Sequence, residues 1–289
     1  MKKRLALVAL ISLVGGCEDA LDQRLAVIDS PRVLAVIGEP AEAKPGAEVT
    51  YSAVIASPDG PLAVDPRFAY CLAPKPPTED NVVATPCTGN DAKMFVELGT
   101  APTVTGTLPK DGCILFGPDV PPNGFRPRDP DPSGGYYQPL RIDAEGLLAF
   151  GLSRITCKLP TAPSDVAHDY DLHYVPNANP TLDPIVLADV ASGSDVTLTA
   201  SWPASATESY LYYDTLSQKL VTRREAMRVS WFATGGTIEV DGSAVGETDD
   251  ATSVSTTWHT PSAGTAHLWF VLRDSRGGIA VQSAEVTIR

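Results

Sequence analysis

The chain has 289 residues, enough for about two domains, and a formal net charge of -13 at pH 7. So acidic a surface is repelled by nucleic acid and by anionic lipid, which excludes nucleic acid as a partner. Hydrophobic residues make up 43% of the chain, an ordinary share for a folded protein, so disorder throughout is excluded as well.

Met1-Lys2-Lys3-Arg4 is a short basic start, and Leu5 to Val14 is an apolar run broken by Ser12. Gly15, Gly16 and Cys17 follow. A charged start, a short apolar run and small residues before a cut describe a secretory signal over residues 1–16. The run is shorter than the about 20 apolar residues that cross a bilayer. Val14-Gly15-Gly16-Cys17 resembles a lipobox, which implies diacylation of the Cys17 thiol and cleavage before it. Each buried acyl CH₂ contributes about 0.8 kcal/mol to anchoring. Cleavage removes three cations, so the charge falls from -13 to -16. By the same resemblance Glu18, rather than Asp, after the cysteine points to a cell-envelope protein lipid-anchored in the outer membrane. Residues 17–31 then read as a lipidated tether.

With Cys17 set aside, Cys71, Cys87, Cys113 and Cys157 remain. An even set in an oxidising compartment reads as two disulfides, with three possible connectivities. The short spacing of the first two favours Cys71–Cys87 and Cys113–Cys157. No C-x-x-C pair and no neighbouring histidine supports a zinc site, and no metal or cofactor is expected.

The fold reads as all-β. Arg32 to Ile37 and Glu48 to Ala56 alternate as half-buried strands, parted by Glu39-Pro40 and Lys44-Pro45-Gly46. Ser57-Pro58-Asp59-Gly60 is a turn, and Arg67 to Leu72 is a third strand. This spacing predicts a β-sandwich. It resembles the opening of bacterial Ig-like and PKD-like domains, without their third-strand tryptophan; Phe68 or Tyr70 could replace it. Residues 73–145 read as a loop-rich insertion with short strands near Met94–Leu98, Thr103–Leu108 and Ile114–Phe116. Leu147 to Leu152 restores a strand. Ser164 to Tyr174 is the one helix candidate, with Ser164 as N-cap and Asp165 in the first turn. Residues 180–190 are expected as the last strand of a first domain spanning 32–191.

The second domain, 192–289, alternates more cleanly. Strands are predicted at Asp195–Trp202, Glu208–Tyr213, Ala226–Phe232, Ser253–Trp258, His267–Asp274 and Ile279–Ile288. Trp231 in the third strand, and Arg273-Asp274 followed by Gly277-Gly278 in the last hairpin, resemble PKD-like modules. Taken whole, the chain is similar to two-module lipoproteins of GC-rich Gram-negative bacteria. That resemblance implies a surface location and no particular activity.

Four constellations carry candidate chemistry. His168, Asp169, Asp171 and His173 share the predicted helix, but histidines five residues apart lie about 140° round it and cannot chelate one ion. Phe125, Arg126, Arg128, Tyr136 and Tyr137 form a candidate binding loop for an envelope protein or a glycan, because arginine and tyrosine are favoured in binding hot spots. Asp129 and Asp131 there lack the rest of a calcium loop. His259 has no hydrolase motif beside it. Trp202, Trp231, Trp258 and Trp269 sit at strand positions that read as core. The expectation is a non-catalytic envelope protein in adhesion, scaffolding or protein–protein interaction, with a glycan or small-molecule receptor using residues 121–140 as the alternative.

Overall fold

The computed structural model describes residues 25–74, 82–117, 133–159 and 162–289. Cys17 and its lipobox lie outside them, as do Phe125, Arg126, Arg128, Asp129 and Asp131.

In the first module, β1 (Arg32–Glu39), β2 (Glu42–Ala43), β3 (Glu48–Ser57) and β4 (Gly60–Pro61) follow the predicted turns. Next come β5 (Arg67–Cys71), β6 (Phe95–Thr100), β7 (Thr103–Thr107), a short helix α1 (Gly112–Leu115), β8 (Gly135–Ala144) and β9 (Leu147–Thr156). One sheet holds β1, β3, β4 and β7; the other has the order β2-β9-β8-β5-β6. The 73–145 stretch therefore supplies β6, β7 and β8 to the sheets. The expected strand at 114–116 falls in α1 and the turn after it.

Period-2 alternation explains the sandwich. Val49 and Tyr51 of β3 face Phe68, Tyr70, Leu140, Ile142 and Ile155 of the opposite sheet. Phe68 and Tyr70 fill the centre where a tryptophan was missed, and the Tyr51 and Tyr70 hydroxyls meet at 2.9 Å. Disulfides join Cys71 to Cys87 and Cys113 to Cys157, the favoured pairing.

Helix α2 (Ser164–His173) follows, with Asp165 in its first turn. Pro163, not Ser164, precedes it as the cap residue, and no side chain caps it. The chain then runs extended, without strand pairing, from Tyr174 to Asp189.

The second module comprises β10 (Asp195–Ser201), β11 (Ser209–Asp214), β12 (Lys219–Arg224), β13 (Met227–Ala233), β14 (Thr237–Ile238), β15 (Gly242–Val245), β16 (Ser253–His259), β17 (Gly264–Asp274) and β18 (Ile279–Ile288). Its sheets are β10-β16-β14 and β15-β13-β17-β18, with β11 and β12 as a separate hairpin. Trp202, Trp231 and Trp258 fill the space between them with Leu198, Phe270 and Val286.

Two boundaries differ from expectation. Residues 180–190 do not close the first module: Leu182 is buried in the second module's core, Ile185 and Leu187 pack on it, and Val190 bridges Ile288. An apolar run cannot be assigned to one of two sandwiches by periodicity alone, because both offer the same kind of face. Residues 25–31 are likewise not a free tether. Ala26 is buried in the second module's core, and the Ile28 N–H donates to Ala233 O at 2.8 Å.

Candidate functional site

The two modules meet along a junction with an apolar half and an ionic half. The apolar half follows from strand parity. On β3 the even residues Val54 and Ala56 face away from the first core, and on β17 the odd residues Trp269 and Val271 face away from the second. These outer faces meet, with Ile28, Leu34 and Ala35 between them. A bulge in β1 between Val33 and Ala35 puts the consecutive Leu34 and Ala35 into the same cluster. Trp269 is thus core, as its strand position predicts, but it is covered by the other module. Arg273 adds a hydrogen bond across the seam, donating to Leu34 O at 2.7 Å.

The ionic half is built on the β17–β18 turn, Asp274-Ser275-Arg276-Gly277-Gly278. Asp274 Oδ1 accepts from the N–H groups of Arg276 (2.8 Å) and Gly278 (2.9 Å), which folds the turn on itself. Gly277 takes a positive φ of 100°. At Gly278 an added Cβ would stand 2.9 Å from Ala178 O, so only glycine lets the extended 174–189 segment lie against the turn. The fold points Arg276 into the gap between modules, 2% exposed.

Arg276 Nε donates to Glu225 at 2.7 Å, and its terminal nitrogens donate to Glu208 (2.8 Å), Val175 O (3.1 Å) and the Tyr174 hydroxyl (3.3 Å). Across the gap Arg154 of β9 faces Glu42 of β2, with Nε 3.1 Å from Oε2 and both side chains buried. Tyr174 joins the pairs, donating to Glu42 Oε2 at 2.8 Å. The Asn177 N–H donates to the same oxygen at 2.9 Å, and its side chain donates to Asp274 at 3.1 Å. The extended segment therefore straps first-module Glu42 to second-module Asp274.

The electrostatics follow from counting charges. Four carboxylates, Glu42, Glu208, Glu225 and Asp274, surround two guanidiniums, Arg154 and Arg276. Burial and the nearby Asp274 push Glu225 up to about 7, against the pull of Arg276. Burial works against the charge of Arg154, but Glu42 and the tyrosines around it hold its pKa above the ordinary value. Removing one member of such a buried pair costs about 3–5 kcal/mol, because the other charge is stranded.

The candidate residues take different places. Tyr136 is 5% exposed in the first core, so it cannot touch a ligand from a surface loop. Tyr137 is half-buried on β8, and its hydroxyl accepts from Arg154 at 3.2 Å. Ser133, expected in the same loop, also accepts from Arg154, at 2.9 Å. A Cβ on Gly135 would lie 1.9 Å from the Arg154 guanidinium carbon, so this glycine clears the arginine's seat. The described end of the proposed binding loop thus serves the junction. His173 pairs with Asp169 at 2.9 Å on an exposed face of α2, and His259 with Asp195 at 2.5 Å at an exposed strand end. Among the described residues no three His, Cys, Asp or Glu side chains group to hold a metal.

Glu42, Arg154, Tyr174, Glu225 and Arg276 carry no periodic signal that marks them as a junction. One signal was present: Arg154 interrupts the otherwise apolar and small-residue strand Leu147–Ile155, and a charge inside such a strand demands a buried partner.

No protein-family model and no curated protein matches the sequence. Among solved structures, the chain is similar to the adhesin InvE of Yersinia pseudotuberculosis, at 12% identity and a TM-score of 0.23, over 88% of this chain and 58% of that one. It is similar to the fibronectin(III)-like modules of Clostridium thermocellum CbhA, at 11% identity and a TM-score of 0.25, over 90% and 94%. The D0–D1 domain of intimin matches at 13% identity and a TM-score of 0.22, over 88% and 98%. At these scores the likeness carries no argument about activity or partner. The sheet pairings themselves define the class: an all-β protein of two Ig-like sandwiches.

Proposed function

We propose that the protein is a lipid-anchored, non-catalytic component of the cell envelope that acts in adhesion, scaffolding or protein–protein interaction. One observation carries the reading: among the described residues, the buried ion-pair cluster of Glu42, Arg154, Glu225 and Arg276 joins two sandwiches. Its carboxylates and guanidiniums are occupied by one another, and that is what a rigid spacer requires. A fixed joint lets an anchored protein hold a binding face at a set angle and distance from a membrane. Residues up to 24, ahead of the docked Ala26 and Ile28, supply the link to Cys17.

Two measurements test this. Replacing Cys17 with Ser should move the protein from the membrane to the soluble fraction, with loss of the lipid mass; a membrane-bound variant would defeat the anchor. Cross-linking in intact cells followed by mass spectrometry should recover a defined envelope protein with the wild type. Recovery of no partner in repeated cross-linking would count against the interaction role.

A further inference from the structure

A second feature borders the junction, with which it shares Tyr174. A cavity of about 630 Å³ opens between the β2–β3 turn, the end of β9 and helix α2. This is within the about 300–1,000 Å³ typical of small-ligand sites. Its rim carries Lys44, Lys110 and Lys158. The sequence holds only eight lysines, two of them in the first four residues, so half of the remainder converge on one opening.

The convergence is built from separated parts of the chain. Lys44 precedes the β2–β3 turn, Lys110 the helix α1, and Lys158 follows β9. The Lys110 stem lies over that same turn: a Cβ on Gly46 would sit 3.3 Å from its Cγ. The Cys113–Cys157 disulfide braces the wall between Lys110 and Lys158. Among the described residues no carboxylate lies within ion-pair distance of any of the three. In a chain of net charge -13, three lysines around one opening outnumber its one lining carboxylate, Asp171, and give a local positive field.

The walls indicate the ligand's body. Tyr174, half-buried, lines the cavity with Pro45 and Pro176, and the buried Tyr170 stacks on it with centroids 4.6 Å apart. Thr156 and Asp171 add polar groups. Flat apolar surfaces with a few hydrogen-bonding groups suit a sugar ring, whose faces are C–H and whose edge is hydroxyl. Lysine serves as a point charge toward an anion, without the directional fork of arginine. A bilayer fits less well, because the site is concave and the chain as a whole is repelled by anionic lipid.

We propose that this cavity binds an acidic saccharide, with Lys44, Lys110 and Lys158 holding its carboxylate or sulfate groups and Tyr174 with Pro45 and Pro176 its ring faces. The site shares Tyr174 with the junction but takes its three lysines from outside it, and so goes beyond the reading above.

Calorimetric titration of the purified full-length protein tests it with four probes: a galacturonate trimer, a heparin-derived tetrasaccharide, neutral maltotriose, and vesicles containing phosphatidylglycerol. At least one acidic saccharide should bind saturably while maltotriose does not. The double variant Lys44→Ala/Lys158→Ala should weaken that binding at least tenfold. The charge-matched Lys93→Ala/Lys219→Ala, outside the cavity, should leave it within twofold. The acidic probe that responds distinguishes carboxylate from sulfate recognition. No binding of either acidic saccharide at millimolar concentration, equal losses in both double variants, or binding to vesicles alone would each overturn the proposal.

Discussion

The two halves of the junction do the same job by different means. Around Trp269, Val271, Leu34 and Ala56 the modules share an apolar cluster. Beside it, Glu42, Arg154, Tyr174, Glu225 and Arg276 bury charge in a network of ion pairs and hydrogen bonds. Apolar burial is tolerant of small shifts, because it depends on area rather than direction. Buried charge is not tolerant: each group must find its partner in place or pay a desolvation penalty. The apolar half thus supplies adhesion between modules, while the ionic half permits one relative orientation.

Variants can separate the two contributions. Trp269→Ala should have the largest effect, about 3–5 kcal/mol as for other buried aromatic truncations, seen as a lower urea midpoint. Arg276→Met should approach that size, because it strands Glu225 and Glu42. Adding Glu225→Gln to Arg276→Met should then restore at least half of the loss. If the double variant is no better than the single, the ionic half is not a paired network.

Next in size is a pH effect. Burial and the nearby Asp274 push the folded Glu225 up to about 7, above the ordinary carboxylate value of 4.5. Between those values the folded chain holds a proton that the unfolded chain has released. Stability from this group therefore rises as pH falls from above 7 towards 4.5, and is level below that. Wild type should gain up to roughly 3 kcal/mol relative to Glu225→Gln across this window. Urea unfolding of both at pH 8 and pH 5 measures it, and parallel changes would contradict the shift. Asn179→Ala should have the smallest effect, about 1 kcal/mol, although Asn179 spans the seam by donating to Gly38 O and accepting from Ile279 N–H.

Much of the sheet structure was legible in the residues. Alternation placed β3, β10, β13 and β17, and the Gly277-Gly278 turn placed the last hairpin. Three of the tryptophans were correctly read as core of their own module. Trp269 shows the limit of that reading: periodicity says that a side chain is buried, not which body buries it. The same limit hid Ala26, Ile28 and Leu182, whose docking on the second module depends on tertiary contacts far along the chain. The junction's charges were harder still. Glu42 and Arg276 lie 234 positions apart in the sequence, and only folding brings them into one cluster. Tyr136 and Tyr137 looked like binding groups for their type and proline-rich setting, while their strand positions made them core and junction.

The central claim is that the junction makes one cooperative body of two sandwiches. Differential scanning calorimetry of the full-length protein, compared with Trp269→Ala and Arg276→Met, tests it most directly. The account predicts a single transition for the wild type, with calorimetric and van't Hoff enthalpies equal, and two separated transitions when the junction is broken. Two independent transitions in the wild type would contradict it.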